Sequence, residues 1–150
     1  VAKKTGNLRG GKVRFGVAFS NSMLGPFEKY SEPIFQNKEK DNPSVWMMAE
    51  DPFLWSSNGK FYAIVTDVIG AFTNKQAALA LLNSSDGINW TPTKYPKVVP
   101  HRLLFANGVI SDDKLERPWL YFENGRPKVL FGALGVNKRS YSVNVAINLK

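Results

Sequence analysis

The chain has 150 residues, a formal net charge of +8, one histidine and no cysteine, and 43% of its residues are hydrophobic. This length and apolar content fit a single domain with its own core. The absence of cysteine excludes disulfide scaffolds and thiolate chemistry, and a single histidine excludes a multi-histidine metal site within the chain. No apolar run approaches the ~20 residues of a membrane helix. We therefore expect no membrane partner, no metal and no other cofactor.

Basic residues are concentrated at the start of the chain. Those that precede the first acidic residue, Glu28, are Lys3, Lys4, Arg9, Lys12 and Arg14. Such a segment could bind the phosphates of a nucleic acid, but no helix-turn-helix, zinc-finger or RNA-recognition pattern follows it. A solvated face, or a surface for an anionic partner or polysaccharide, is the better interpretation, and nucleic acid is not an expected partner.

The apolar periodicity is that of β-strands. Runs of strand length, alternating or continuously apolar, occupy residues 13–19, 60–65, 77–82, 128–131 and 141–149. Nine prolines and twelve glycines punctuate these runs, and no long amphipathic helical stretch occurs. The predicted class is all-β.

An internal repeat relates two parts of the chain. The segment from Glu50 to Lys60 matches the segment from Glu116 to Arg126 without a gap, at a constant offset of 66 residues (116 − 50). Each copy carries Glu-x-Pro and an Asn-Gly dipeptide, and this predicts a hairpin closed by a type I′ turn. A weaker repeat aligns residues 20–27 with residues 84–90, where a small polar turn and an aromatic residue follow an apolar strand.

Together the repeats describe a unit of four short strands, which favours a β-propeller built from four-stranded blades. Residues 1–12 are then a basic leader, 13–35 the end of one blade, 46–99 a complete blade and 115–150 an incomplete last blade. Because a closed ring needs at least four blades, we expect missing N-terminal blades or a second chain to complete it. A small β-sandwich with two coincidentally similar hairpins is the alternative.

The acidic residues at the start of each repeat are the candidate functional groups. In propellers the first strand of each blade lines the axis, so Glu50, Asp51 and Glu116 would converge on one funnel. Glycoside hydrolysis needs one carboxyl with a raised pKa that donates a proton and one carboxylate that stays ionised. Two exposed capping acids would give the same pattern, and the residues do not separate the two interpretations.

A family resemblance rests on short motifs in a fixed order: Ala49-Glu50-Asp51-Pro52, Lys60-Phe61-Tyr62, Leu115-Glu116-Arg117-Pro118, and Gly25-Pro26-Phe27 after Ser-Asn-Ser. They resemble the five-bladed propeller glycoside hydrolases of families 43, 32 and 117 and related bacterial proteins. The resemblance covers residues 12–150 and implies the C-terminal part of such a propeller, about two and a half blades. It implies Glu116 as the general acid and Asp51 as the residue that orients this acid, tunes its pKa or stabilises the transition state.

The chain also departs from that family. The first blade of the family carries a further aspartate, the general base or the nucleophile, and nothing in this chain fills that position. The chain by itself is therefore expected to be inactive. Some relatives that resemble family 117 use a histidine as the acid, so His101 is a second candidate for that role, with a partly exposed loop histidine as the alternative.

The implied substrate is a carbohydrate, and the resemblance implies a periplasmic or extracellular bacterial protein. A non-catalytic carbohydrate-binding propeller is the alternative function. Among the candidate substrate-binding residues, Glu50 belongs to the funnel, Trp46 could stack on a sugar ring, and Arg117 could bind an anionic sugar substituent or form a structural salt bridge.

Two further predictions concern packing. Three tryptophans, Trp55, Trp90 and Trp119, are expected to pack between blades. Asp67 follows the second strand of the complete blade, where it either reaches the funnel rim or caps a turn.

Overall fold

The protein is described by a computed structural model that covers residues 12–99, 103–108, 110–111, 114–136 and 141–149. Within these ranges the chain is all-β, as predicted, with eleven strands and no helix. The strands form four antiparallel sheets. Two of these sheets have two short strands each: β1 (Ala18–Phe19) with β2 (Glu28–Lys29), and β7 (Leu103–Leu104) with β8 (Ile110–Ser111).

The largest sheet has four strands in chain order. They are β3 (Ala49–Ser57), β4 (Lys60–Asp67), β5 (Ala78–Ser84) and β6 (Thr91–Lys97). The strands predicted over residues 60–65 and 77–82 are confirmed.

A second sheet has three strands in the order β11-β10-β9: β9 (Leu115–Glu123), β10 (Arg126–Val136) and β11 (Tyr141–Asn148). The hairpins β3–β4 and β9–β10 are the two copies of the repeat. Their turn residues all have positive φ, 50° and 71° at Asn58 and Gly59 and 49° and 73° at Asn124 and Gly125. These angles are those of the predicted type I′ turn.

The prediction of a strand over residues 13–19 is wrong over most of its length. Only Ala18–Phe19 is a strand, and Phe15 forms an isolated bridge with Ile34. The segment makes single backbone hydrogen bonds to separate parts of the chain, such as that from the Val13 amide to the Trp46 carbonyl at 2.8 Å. The alternation of polar and apolar residues over 13–19 therefore reflects packing of apolar side chains against neighbouring segments, and no continuous strand pairing forms over most of this stretch.

Each face of the four-stranded sheet contributes to a separate hydrophobic core. Toward the three-stranded sheet, Ile64 and Leu79 pack with Leu115, Leu120, Leu130, Leu134 and Val145. On the opposite face, Ala63, Val65, Ala80 and Leu82 pack with Ile34, Phe35, Val45, Met48 and Trp90. Side chains alternate between the faces of a strand, so the continuously apolar β4 supplies both cores. The layers thus stack in the order of residues 12–35, the four-stranded sheet and the three-stranded sheet.

The tryptophans divide between core and surface. Trp90 is buried, and Trp55 packs between the two larger sheets, where its ring lies 6.0 Å from that of Phe122. Trp119 is about half exposed, but its ring also lies 6.1 Å from that of Phe53 on β3 and so makes a contact between the two larger sheets. Its side chain lies on the face of the three-stranded sheet opposite to Leu120, because successive residues of a strand point to opposite faces. The described part of the chain has no helix of the length and apolarity that crossing a membrane requires.

Candidate functional site

Both Glu-x-Pro motifs lie at irregularities in the first strand of their hairpins. The pairing register shifts between Glu50 and Phe53 in one copy, and between Phe131 and Ala133, opposite the second motif, in the other. The residue before each proline is left-handed, with φ of 50° at Asp51 and 54° at Arg117. A bulge accommodates a proline, which has no N–H for the ladder, and turns the neighbouring side chains. The unusual conformation thus recurs in both copies.

The bulges direct the two glutamates toward each other. The side chains of Glu50 and Glu116 are half-buried, with 26% and 25% of their surface exposed. Between them lies the nearly buried Lys114, whose Nζ is 3.1 Å from Glu50 Oε1 and also contacts Glu116 Oε1. Two oxygens that are each within ion-pair distance, ~4 Å, of one nitrogen are at most about 8 Å apart. The two carboxylates are therefore close enough to share one ammonium group.

The residues that follow the two glutamates form a second pair across the copies. Arg117 Nε lies 3.8 Å from Asp51 Oδ2, and both side chains are exposed. A pair in this setting contributes about 0–1 kcal/mol to stability. Arg117 is thus engaged in a salt bridge, one of the two roles expected for it.

A buried hydroxyl lies next to this site. Thr66 is directly opposite Glu50 in the β3–β4 register, so the two side chains share a face of the sheet. Thr66 is completely buried, and its Oγ1 has no hydrogen-bond partner in the described part of the protein. An unsatisfied buried hydroxyl costs about 1–3 kcal/mol. This end of the sheet therefore has unused hydrogen-bonding capacity beside a carboxylate.

Gly132 sets the position of the start of β9. A Cβ at this residue would lie 2.7 Å from Leu115 Cδ1 and 3.1 Å from the Glu116 carbonyl oxygen. A side chain at this position would force Leu115 and the backbone at Glu116 to shift, so glycine allows the close approach of β10 to β9. This approach positions β9, the strand on which Glu116 lies close to Lys114.

The remaining predicted residues are not brought into this cluster by any described contact. Trp46 is exposed and accepts hydrogen bonds through its backbone carbonyl from Val13 N and Arg14 Nη1. His101 lies outside the described residues. Within the described ranges there is no group of three or more histidine, cysteine, aspartate and glutamate side chains that could hold a metal ion.

Asp67 caps a turn and does not reach an open rim. Its carboxylate is fully buried and accepts hydrogen bonds from the amides of Ala71, Phe72 and Thr73 and from the Thr73 hydroxyl, at 2.6 to 3.0 Å. Of the two roles considered for Asp67, turn capping is therefore confirmed.

Lys114 is the functional candidate that the sequence analysis missed. The signal was present in the repeat, because the residue 66 positions earlier is Met48, a buried core residue. The two positions are also equivalent in the backbone: the Met48 carbonyl accepts from Val68 N, and the Lys114 carbonyl accepts from Gly135 N. The second copy thus has a charged residue in contact with two glutamates at the position where the first copy has a core methionine.

Comparison of the chain with protein-family models, with curated proteins and with solved structures finds no match in any of the three.

Proposed function

We propose that the chain is part of a five-bladed β-propeller that hydrolyses glycosidic bonds, with Glu116 as general acid and Asp51 as the residue that orients it or tunes its proton affinity. The observation that carries this proposal is the meeting of Glu50 and Glu116, from two copies of a repeat, on one lysine. The four-stranded sheet supports the blade interpretation, since its strands follow chain order as in a propeller blade.

The proposed chemistry assigns a proton transfer to Glu116. This residue donates a proton to the leaving oxygen of the glycosidic bond, and a carboxylate from another blade activates water or attacks the sugar. An ammonium in contact with a carboxylate stabilises its ionised form, whereas a general acid must carry a proton. Lys114 must therefore leave Glu116 when this acid is protonated. In that state Glu50 remains as the ion-pair partner of Lys114.

The proposal includes the partners and location implied by the resemblance. The substrate is an oligo- or polysaccharide that binds near Glu50, and Arg117 and the exposed Trp46 are the further candidate contacts. Further blades, from N-terminal sequence or from a second chain, supply the missing carboxylate. The complete protein acts in the periplasm or outside the cell.

The test replaces the acid in the protein that includes the remaining blades. Glu116→Gln is expected to abolish turnover of substrates with a poor leaving group and to leave the circular dichroism spectrum unchanged. Glu123→Gln changes an exposed glutamate on the same strand and is the matched control. If Glu116→Gln retains turnover of such substrates, Glu116 is not the acid.

A carbohydrate-binding propeller without catalysis is the second candidate, and the Lys114 ion pairs favour it. Two carboxylates held on one lysine present oxygens that can accept hydrogen bonds from sugar hydroxyls. Titration calorimetry with oligosaccharides, combined with product analysis, separates the two candidates. Binding without any product from the complete protein would favour recognition over hydrolysis.

A further inference from the structure

The two larger sheets have four edge strands, and three of these carry residues that oppose pairing with a further strand. The strands β3, β6 and β9 each contain at least one proline and at least one charged residue. Proline lacks the N–H that a ladder needs, and charged side chains disfavour pairing, so such residues protect an exposed edge. The fourth edge strand, β11, contains neither in its eight residues. Among these four strands, β11 therefore has the unprotected edge.

The composition of β11 is that of a strand whose edge is covered. β5 pairs with the second strand of one hairpin, as β11 pairs with the second strand of the other. β5 also lacks proline and charged residues, and β6 pairs with its outer edge in the antiparallel sense. In the described part of the chain, the three-stranded sheet has no strand that corresponds to β6. The third strand is thus covered in one sheet and open in the other.

The register shows which backbone groups of β11 point outward. The Leu149 amide donates to the Lys128 carbonyl at 2.8 Å. This bonded pair continues the β10–β11 register, in which Asn148 lies opposite Val129. Because bonded and non-bonded pairs alternate along an antiparallel ladder, the even-numbered residues of β11 point their N–H and C=O groups away from β10. These residues are Ser142, Asn144, Ala146 and Asn148. Among the described residues, no other strand bonds to these groups.

The hydrophobic core is incompletely covered along the same edge. Val145 and Ile147 contribute to the core between the two larger sheets. Tyr141 and Val143 lie on the same face of β11, because alternate side chains of a strand share a face. They are nevertheless 56% and 39% exposed. A strand placed beside β11 would bring every second side chain to this face and would cover both residues.

We propose that β11 binds an extended peptide segment from outside residues 1–150 as a fourth, antiparallel strand, in the way that β5 binds β6. The segment carries apolar residues at alternate positions, toward Tyr141 and Val143, and small polar residues between them, beside Asn144. In strand addition of this kind, main-chain hydrogen bonds supply affinity and the alternate side chains supply selectivity. The edge includes no residue of the candidate functional site, so the inference is independent of the proposed sugar chemistry.

Binding of the peptide Lys-Thr-Val-Thr-Val-Thr-Val-Thr-Lys to the full chain tests the proposal, since its valines and threonines match the two faces of β11. Fluorescence anisotropy of the labelled peptide measures the dissociation constant. Asn144→Pro is expected to raise this constant about tenfold or more, because proline removes an outward N–H and leaves the hydrogen bonds to β10 in place. Asn144→Ala changes the same side chain but keeps the N–H, and it should bind as the native chain does. Should Asn144→Pro unfold, Ala146→Pro takes its place.

N-methylation of the peptide tests the ladder without any change to the protein. Residues directly opposite each other share a face of the sheet, so the threonines of the peptide lie opposite the outward-pointing residues of β11. Methyl groups on the threonine amides should abolish binding, whereas methyl groups on the valine amides, which point away, should not. The proposal is overturned if the two methylated peptides bind equally or if the unmodified peptide does not bind. It is also overturned if sedimentation velocity shows a dimer of the chain that Asn144→Pro dissociates, because a second copy then occupies the edge.

Discussion

The hairpins β3–β4 and β9–β10 share their local conformation and differ in their surroundings. Both have an Asn-Gly turn with positive φ and a left-handed residue before proline. The first hairpin contributes buried side chains to a core on each face, whereas the second contributes to one core and exposes Trp119 and Phe131 on its other face. Turn and bulge geometry therefore follow the repeated residues, while burial follows the place of each sheet in the stack.

The largest test of this comparison removes equivalent side chains from the two hairpins. Ile64→Ala is expected to lower the free energy of unfolding by about 2–5 kcal/mol, because Ile64 is buried in a packed core. Phe131→Ala removes more atoms but is expected to cost only about 1 kcal/mol, since its side chain is partly exposed. Urea unfolding of dilute protein measures both, and equal losses would contradict the difference in burial.

The next test concerns the ends of β4 and β10, where the copies differ in chemistry. Asp67 pairs with Ala49 and the equivalent Leu134 pairs with Leu115. Asp67→Ala is expected to cost at least about 2 kcal/mol, because it leaves the amides of the following loop without their acceptor. Hydrogen exchange at the Ala71, Phe72 and Thr73 amides should quicken in the same variant. Asp67→Asn retains an acceptor and should lose less, and unchanged exchange in Asp67→Ala would refute the capping role.

A smaller effect is expected at the two turns, where the copies should behave alike. Gly59 and Gly125 have φ of 71° and 73°, and a Cβ at either position would meet no atom within 4 Å. Gly59→Ala and Gly125→Ala should each cost about 1 kcal/mol, the penalty of a left-handed alanine. Thermal unfolding measures both. If the two stability losses differ by more than about 0.5 kcal/mol, which exceeds the ordinary variation among surface substitutions, the surroundings of the turn also affect its stability.

The smallest effect is expected in the turns of the weaker repeat, at residues 20–27 and 84–90. Ser84 Oγ accepts from Asp86 N as Ser20 Oγ accepts from Ser22 N, and Asp86 Oδ1 accepts from Ile88 N as Ser22 Oγ accepts from Leu24 N. Asp86 and Ser22 are thus equivalent, but only Asp86 titrates.

Hydrogen bonds hold the pKa of Asp86 below its ordinary value, first from the Asn89 backbone amide, then from the Asn89 side chain, Ile88 N and the Ser84 hydroxyl. Because the folded-state pKa is lowered, ionised Asp86 stabilises the fold above about pH 4, the unfolded value, and this contribution is lost as the pH falls below it. Amide shifts of Ile88 and Asn89 should move in acid while that of Leu24 does not. Asp86→Ser should remove the response, and titration of Asp86 near pH 4 would contradict it.

The local features were predictable from sequence, and the long-range contacts were not. The Asn-Gly turns and the strands over 77–82 and 141–149 depend on residues near one another in the chain. The contact of Lys114 with Glu50 joins residues 64 positions apart, and the repeat marks Lys114 only by its difference from Met48. The exposure of Trp119 depends on which face of its sheet meets a neighbour. The repeat did place Glu50 and Glu116 as counterparts, but whether they meet depends on how the two sheets stack.

The close approach at Gly132 places a requirement of the candidate site on a residue that has no side chain. In a randomised library selected for sugar binding or turnover, position 132 should tolerate almost as little variation as position 116. Its intolerance would look like a chemical role, although a larger residue there would only displace the strand that carries Glu116. A position kept for packing, such as 132, and a position kept for chemistry, such as 116, would then show the same lack of variation in the surviving sequences. A structure would be needed to tell them apart.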